Sequence, residues 1–182
     1  MTQRPPQKIV TVFGTGKAEP GEPVFQLAHL TGRRLAESGF TVANGGYGGA
    51  MLASAKGAAE AGGHVIGVTC TAFKRSSANA YVSEEIVTDS LEARLARLIE
   101  LGEGFVVLPG GTGTLLEVAD VWEHKNKGFR NADKPIILVG AFWQPLLSMM
   151  AAADADSVLH VECAETAEDA VELLKNWMDE SQ

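Results

Sequence analysis

The sequence predicts an α/β protein, a doubly wound parallel sheet with helices on both faces, and three observations carry that expectation. Short apolar runs recur at 9–13, 41–43, 64–68, 105–108, 135–139 and 158–161, and near-continuous runs of this length suit strands buried on both faces. Amphipathic stretches at roughly 24–38, 50–61, 90–101, 114–127, 143–151 and 167–178 lie between most of them, long enough to cross over a parallel sheet. Glycine turns follow several of the runs. In a right-handed βαβ winding those turns all fall at the carboxyl ends of the strands, where ligands bind. The expected architecture is therefore Rossmann-like.

Taken in order, the first run ends at Gly14-Thr15-Gly16, which begins like a dinucleotide fingerprint. Glu19 stands where a third glycine should allow close helix packing, and Pro20 and Pro23 delay the helix, which argues against a nicotinamide dinucleotide. The run 41–43 leads through Asn44, Gly45, Gly46, Tyr47, Gly48 and Gly49 into the helix 50–61. The glycines serve turn geometry and also aim a helix N-terminus at the crevice. His64 opens the next run and reads as a strand-end residue rather than a base. The stretch 70–81, with Lys74 and Arg75, has no periodicity and is expected as a surface loop beside the site, its cations solvated.

Asp89 or Ser90 opens the helix 90–101, whose buried stripe is Leu91, Leu95, Leu98 and Ile99. Arg94 flanks that stripe and abuts the sheet, whereas Arg97 lies further toward solvent. The run ending at Leu108 passes through Pro109, Gly110 and Gly111 into a helix with Leu115, Val118, Ala119 and Trp122 at helical spacing. Its N-terminus, Gly111 to Thr114, offers unpaired amides and partial positive charge to a phosphate. With Leu115, Val118 and Trp122 against the sheet, Glu117 is expected on the opposite side with Asp120 and His124, reaching outward over the crevice. Thr114 and Glu117 also fit a capping box, in which threonine caps the helix and glutamate bonds back to it.

At 182 residues the chain is expected to form one domain over residues 1–182, with a hydrophobic fraction of 46%. The net charge of −8 disfavours a nucleic-acid polymer but leaves room for a small phosphate ligand. No apolar run is long enough to span a bilayer and the first residues lack a signal-peptide core, so a cytoplasmic protein is expected. Cys70 and Cys163 make no disulfide scaffold, and His29, His64, His124 and His160 lack metal-ligand spacing. No metal is expected.

Four segments resemble the LOG ("lonely guy") family of nucleoside 5′-monophosphate phosphoribohydrolases, often labelled lysine decarboxylases. Pro109, Gly110, Gly111, Gly113, Thr114 and Glu117 match the family's PGGxGTxxE signature. Val42 to Leu52 is similar to its GGGxxGLMG loop, with Asn44 in place of the first glycine and Leu52 in place of the last. Leu91 to Leu95 resembles MxxRK, keeping Arg94 but carrying Leu95 where the family has lysine. Gly14 and Thr15 stand in its CGSS-like turn.

The resemblance implies hydrolysis of the N-glycosidic bond of a purine nucleoside 5′-monophosphate, with Glu117 and Arg94 as catalytic residues. Gly110, Gly111, Thr112, Gly113, Thr114, Gly14 and Thr15 would bind the AMP-like substrate and its phosphate, with Gly45, Gly46, Gly48 and Gly49 lining the opposite wall. It further implies a homodimer and no cofactor. Related carrier proteins share the fold, so a noncatalytic nucleotide or molybdenum-cofactor carrier is the alternative, and Leu95 speaks for it. A structural module would treat the glycines as turns alone.

Overall fold

Alternation along the strands organises the molecule, because each strand sends successive side chains to opposite faces. In the computed structural model, which describes residues 8–74, 77–129 and 132–180, the described strands are β1 (Ile9–Phe13), β2 (Thr41–Asn44), β3 (Val65–Cys70), β4 (Glu84–Thr88), β5 (Gly104–Val107), β6 (Ile136–Val139) and β7 (Glu162–Ala164). They pair in parallel in the order β4-β3-β2-β1-β5-β6-β7. The helices are α1 (Pro23–Glu37), α2 (Ala50–Glu60), α3 (Leu91–Leu101), α4 (Thr112–Asn126), α5 (Gln144–Ala153) and α6 (Ala167–Glu180).

Val10, Val12, Val106, Ile137 and Val139 pack on one face with Ala28 and Leu35 of α1, Ala53 and Ala58 of α2, and Leu174 of α6. Phe13, Phe105, Val107, Ile136 and Leu138 pack on the other with Leu98 and Ile99 of α3, Val118 and Trp122 of α4, and Trp143. The sheet is thus covered on both sides, as the apolar runs require. Phe13 and Phe105 stack with centroids 5.8 Å apart. Burying each contributes about 1.5–3 kcal/mol, beneath the two helices that carry Arg94 and Glu117.

Strand order reverses at the centre: the chain leaves β1 toward β2 on one side and leaves β5 toward β6 on the other. The loops following these neighbours diverge and open a crevice at their carboxyl ends. Phe13 pairs with Val107, which sets Gly14 beside Leu108 where both strands give way to loops.

Two elements depart from the sequence reading. The strand β4 was not expected, because its Glu84, Glu85 and Val87 are exposed and an edge strand paired only with β3 shows neither a buried run nor clean alternation. The apolar run 158–161 is not a strand. Ser157–His160 forms a 3-10 turn and the edge strand follows it at Glu162–Ala164, with Val158 and Val161 packed against the α3/α4 side core.

Candidate functional site

The N-terminus of α4 begins two residues earlier than its apolar spacing suggests. Gly111 is the N-cap residue, in extended conformation and without a side-chain cap, so the amides of Thr112, Gly113 and Thr114 have no acceptor within the helix. Gly111, Thr112 and Gly113 are exposed, and a Cβ added at Gly111 or Gly113 would meet nothing within 4 Å. Gly110 is different: a Cβ there would strike the Thr114 hydroxyl, so this glycine lets the chain fold over the threonine.

The expected capping box does not form. Thr114 lies inside the first turn rather than at the N-cap and its side chain is buried. The expected orientation of the helix is also corrected. Thr114, Val118, Val121 and Trp122 face inward, whereas Leu115 is 40% exposed. Anchoring the helix on Leu115 turns it by about one residue, or ~100°. Glu117, three residues after Thr114 and four before Val121, therefore points in at the flank of the buried stripe, not outward. Asp120 and His124 pair with each other at 3.3 Å instead.

Arg94 awaits Glu117 there. The helix α3 opens at Ser90, whose hydroxyl accepts from the Ala93 amide at 3.1 Å. From its first turn Arg94 reaches under the sheet's end and is itself buried, with Leu98 and Ile99, where the sequence placed it at the flank of the buried stripe. Its Nε donates to the Val68 carbonyl at 2.8 Å and Nη2 donates to the Gly45 carbonyl at 3.2 Å. The guanidinium lies 5.6 Å from the ring centroids of both Tyr47 and Phe73, a favourable contact for a desolvated cation. Its Nη1 is 3.8 Å from Glu117 Oε1, with the two side chains 8% and 16% exposed.

This separation is a charge contact, too long for a hydrogen bond. Burial accordingly dominates: the Glu117 carboxyl is pushed up from 4.5 to about 7 by loss of solvent, with Arg94 acting in the opposite direction. A carboxyl that is about half ionised at neutral pH, beside a helix N-terminus, can accept or hold a proton or stabilise a developing cation.

The glycine loop forms a second wall. A Cβ on Gly45 would land on Arg94 Nη2 and 2.5 Å from Met51 Sδ, so close approach to the arginine requires glycine here. Gly49 has φ +63°, and a side chain on it would hit the Thr15 carbonyl. Gly46 is buried and Gly48 half-buried in the same turn. Thr15 sits between the walls. Its amide donates to the Pro109 carbonyl at 3.2 Å and its carbonyl accepts from Ala50 at 2.8 Å. The N-terminus of α2 is therefore partly satisfied from within, while that of α4 stays open, and the two expected cradles are unequal. Gly14 allows this meeting, since a Cβ on it would lie 2.8 Å from the Ala50 Cβ.

Arg94 and Glu117 are thus brought together, with Gly45, Gly46, Gly14, Thr15 and the Gly110 to Thr114 turn around them. His64 is exposed and pairs with Glu84 at 3.3 Å. Lys74 is exposed, and Arg75 lies outside the described residues. Among the described residues no helix is long and apolar enough to cross a membrane. Nor do three His, Cys, Asp or Glu side chains gather there as a metal-ligand set.

Sequence reasoning missed Tyr47, Phe73, Asn44 and Asn79 as builders of the site. Tyr47 bridges to β3, its hydroxyl donating to the Cys70 carbonyl at 3.2 Å and accepting from the Cys70 amide at 2.8 Å. An aromatic residue within a glycine run was the available signal.

The family model described as "Possible lysine decarboxylase" matches residues 51–176. The chain is 35% identical over 150 residues to a cytokinin riboside 5′-monophosphate phosphoribohydrolase from Rhodococcoides fascians, an alignment spanning 80% of this chain and 75% of that one. Among solved structures, it is similar to the molybdenum cofactor binding protein from Rippkaea orientalis, with TM-score 0.78, 26% identity, and 94% and 98% of the two chains covered. The molybdenum cofactor carrier protein from Chlamydomonas reinhardtii gives TM-score 0.78, 28% identity, and 95% and 99% coverage.

Proposed function

Because the chain belongs to the LOG family, we propose that it is a hydrolase that cleaves the N-glycosidic bond of a purine nucleoside 5′-monophosphate. Water adds to C1′ of the ribose, the bond from C1′ to the base nitrogen breaks, and the base leaves with a proton as ribose 5-phosphate remains. The observation that carries this reading is the largely buried Glu117, with Arg94 Nη1 at 3.8 Å, on the helix whose N-terminus stays open.

In this reading the amides of Thr112, Gly113 and Thr114 hold the 5′-phosphate, since donors and helix dipole both favour an anion. The ribose then lies over Glu117. Bond breaking builds positive charge on the sugar ring, and an ionised Glu117 stabilises it or takes the proton of the attacking water. Arg94 does not grip phosphate, because its Nε and Nη2 are committed to backbone carbonyls. It orients Glu117 and keeps its anionic form accessible near neutral pH. Gly45, Gly46, Gly48 and Gly49 form the facing wall, and a homodimer belongs to the same reading.

A second reading, a carrier that binds a nucleotide or a molybdenum cofactor without cleaving it, is favoured by the similarity to the Rippkaea and Chlamydomonas proteins and by Leu95 at the family's lysine position. Incubating the pure protein with a panel of nucleoside 5′-monophosphates and assaying free base separates the two. Release of a base supports the hydrolase, and binding without release supports the carrier.

A further inference from the structure

The glycine turn that supplies Arg94 with an acceptor does not hold its own shape; two asparagines hold it. From the end of β2, Asn44 is fully buried and uses its whole amide. Its Nδ2 donates to the Met51 carbonyl and to Ser54 Oγ, both at 3.0 Å, and its Oδ1 accepts from the Gly46 amide at 2.8 Å. On the opposite side stands Asn79, in the stretch between β3 and β4. Its main-chain amide donates to the Gly46 carbonyl at 2.7 Å. Its Nδ2 donates to the carbonyls of Gly46 and Tyr47, each at 3.0 Å, and its Oδ1 accepts from Tyr81 at 3.1 Å.

Gly46 sits at φ +76°, so the clamped segment has an unusual turn on which two bonded neighbours depend. Gly45 presents its carbonyl to Arg94, and Tyr47 presents its ring to the same guanidinium. Both Arg94 contacts on this side therefore rest on residues that the asparagines hold.

We propose that Asn79, with Asn44 behind it, is a positioning residue: clamping the glycine turn from both sides keeps the Gly45 carbonyl and the Tyr47 ring against Arg94, and so keeps Arg94 against Glu117. This deepens the hydrolase reading, because Glu117 is taken as the acting carboxylate. Among the described residues, Arg94, from α3, is the charged group that acts on Glu117. On α4 itself Asp120 and His124 are engaged with each other, and Tyr47 faces the arginine.

The test reads Glu117 directly. In the full chain, the Glu117 side-chain carboxyl is followed by NMR from pH 5 to pH 9 and identified by its loss in E117Q. Asn79→Ala removes the two side-chain bonds to the turn and leaves the main-chain one. If the clamp works, Arg94 drifts from its 3.8 Å contact. A retreat of about 2 Å at the effective dielectric of a protein site makes Glu117 about tenfold harder to ionise, raising its titration midpoint by about one pH unit. Asn79→Ser, which keeps one donor, should fall between and serves if the alanine variant does not fold. An unchanged midpoint in a folded variant, with only a lower thermal midpoint, makes Asn79 a structural tie and overturns the proposal. The titration needs no substrate, so absence of base release from the wild type would count against the hydrolase reading alone.

Discussion

Replacing Glu117 by glutamine should stabilise the protein at alkaline pH while ending turnover. The wild-type carboxyl titrates at about 7 in the folded state against 4.5 ordinarily. Between those values the folded protein holds a proton that the unfolded chain has released, so stability falls as pH rises through this window and is level above it. The displacement corresponds to about 3 kcal/mol, at about 1.4 kcal/mol per pH unit, and applies because the side chain is only 16% exposed. Glutamine keeps the size and never ionises. Its advantage over wild type should therefore grow by about 3 kcal/mol between pH 4.5 and pH 8, equivalent to about 6–12 °C in thermal midpoint for a chain of this length. Urea unfolding of both proteins at pH 5 and pH 8, at one protein concentration and followed by fluorescence of the three tryptophans, measures this.

A capping glutamate predicts the opposite sign. A carboxylate bonded to free amides is stabilised as the anion, so wild-type stability would rise with pH and glutamine would lose about 1 kcal/mol. Parallel curves for the two proteins, or a rising wild-type advantage, would refute the account of Glu117 as a desolvated acid held in place for chemistry. Turnover should rise through the same pH window in wild type, as the carboxylate forms.

Three further outcomes follow from the geometry. AMP should bind at least about tenfold more tightly than adenosine in calorimetric titration, because the open amides of α4 answer a phosphate and have nothing to offer an uncharged sugar; equal affinities remove the phosphate cradle. Gly45→Ala should lower stability by about 1–3 kcal/mol and slow base release, since its Cβ lands on Arg94 Nη2. Gly111→Ala, whose Cβ meets nothing within 4 Å, should leave the thermal midpoint nearly unchanged.

The sheet was legible because its central strands are buried on both faces and read as bare apolar runs: β1, β2, β3, β5 and β6 all fall where the runs do. Legibility failed at the edges. β4 is half in water, so Glu84 and Glu85 replace the apolar signal on which strand recognition depends. Near β7, Val158 and Val161 are apolar because the surrounding helices need cover, and nothing local distinguishes that from a strand. Helix positions were read well, but a helix's rotation was not. Leu115 and Leu116 are both apolar and both exposed, so a wheel drawn through either one misdirects Glu117.

That misdirection hides the quantity on which the proposed chemistry turns. Sequence can propose Arg94 and Glu117 as partners, and spacing can put each on a helix near the crevice, but neither specifies desolvation. In this site burial comes from tertiary contacts: Val68 offers a carbonyl from within β3 and Gly45 one from just past the end of β2, Tyr47 and Phe73 shield the guanidinium, and the α4 backbone turns Glu117 inward. Each contact is ordinary, and several rest on residues such as Asn44 and Asn79 that read in sequence as turn formers. Together they take two charges out of water without a short hydrogen bond between them. A tighter pair would hold Glu117 as a permanent anion, whereas a solvated one would make its carboxylate a weak base. The 3.8 Å separation keeps the acid near the point of losing its proton, where a group must sit to exchange protons at neutral pH.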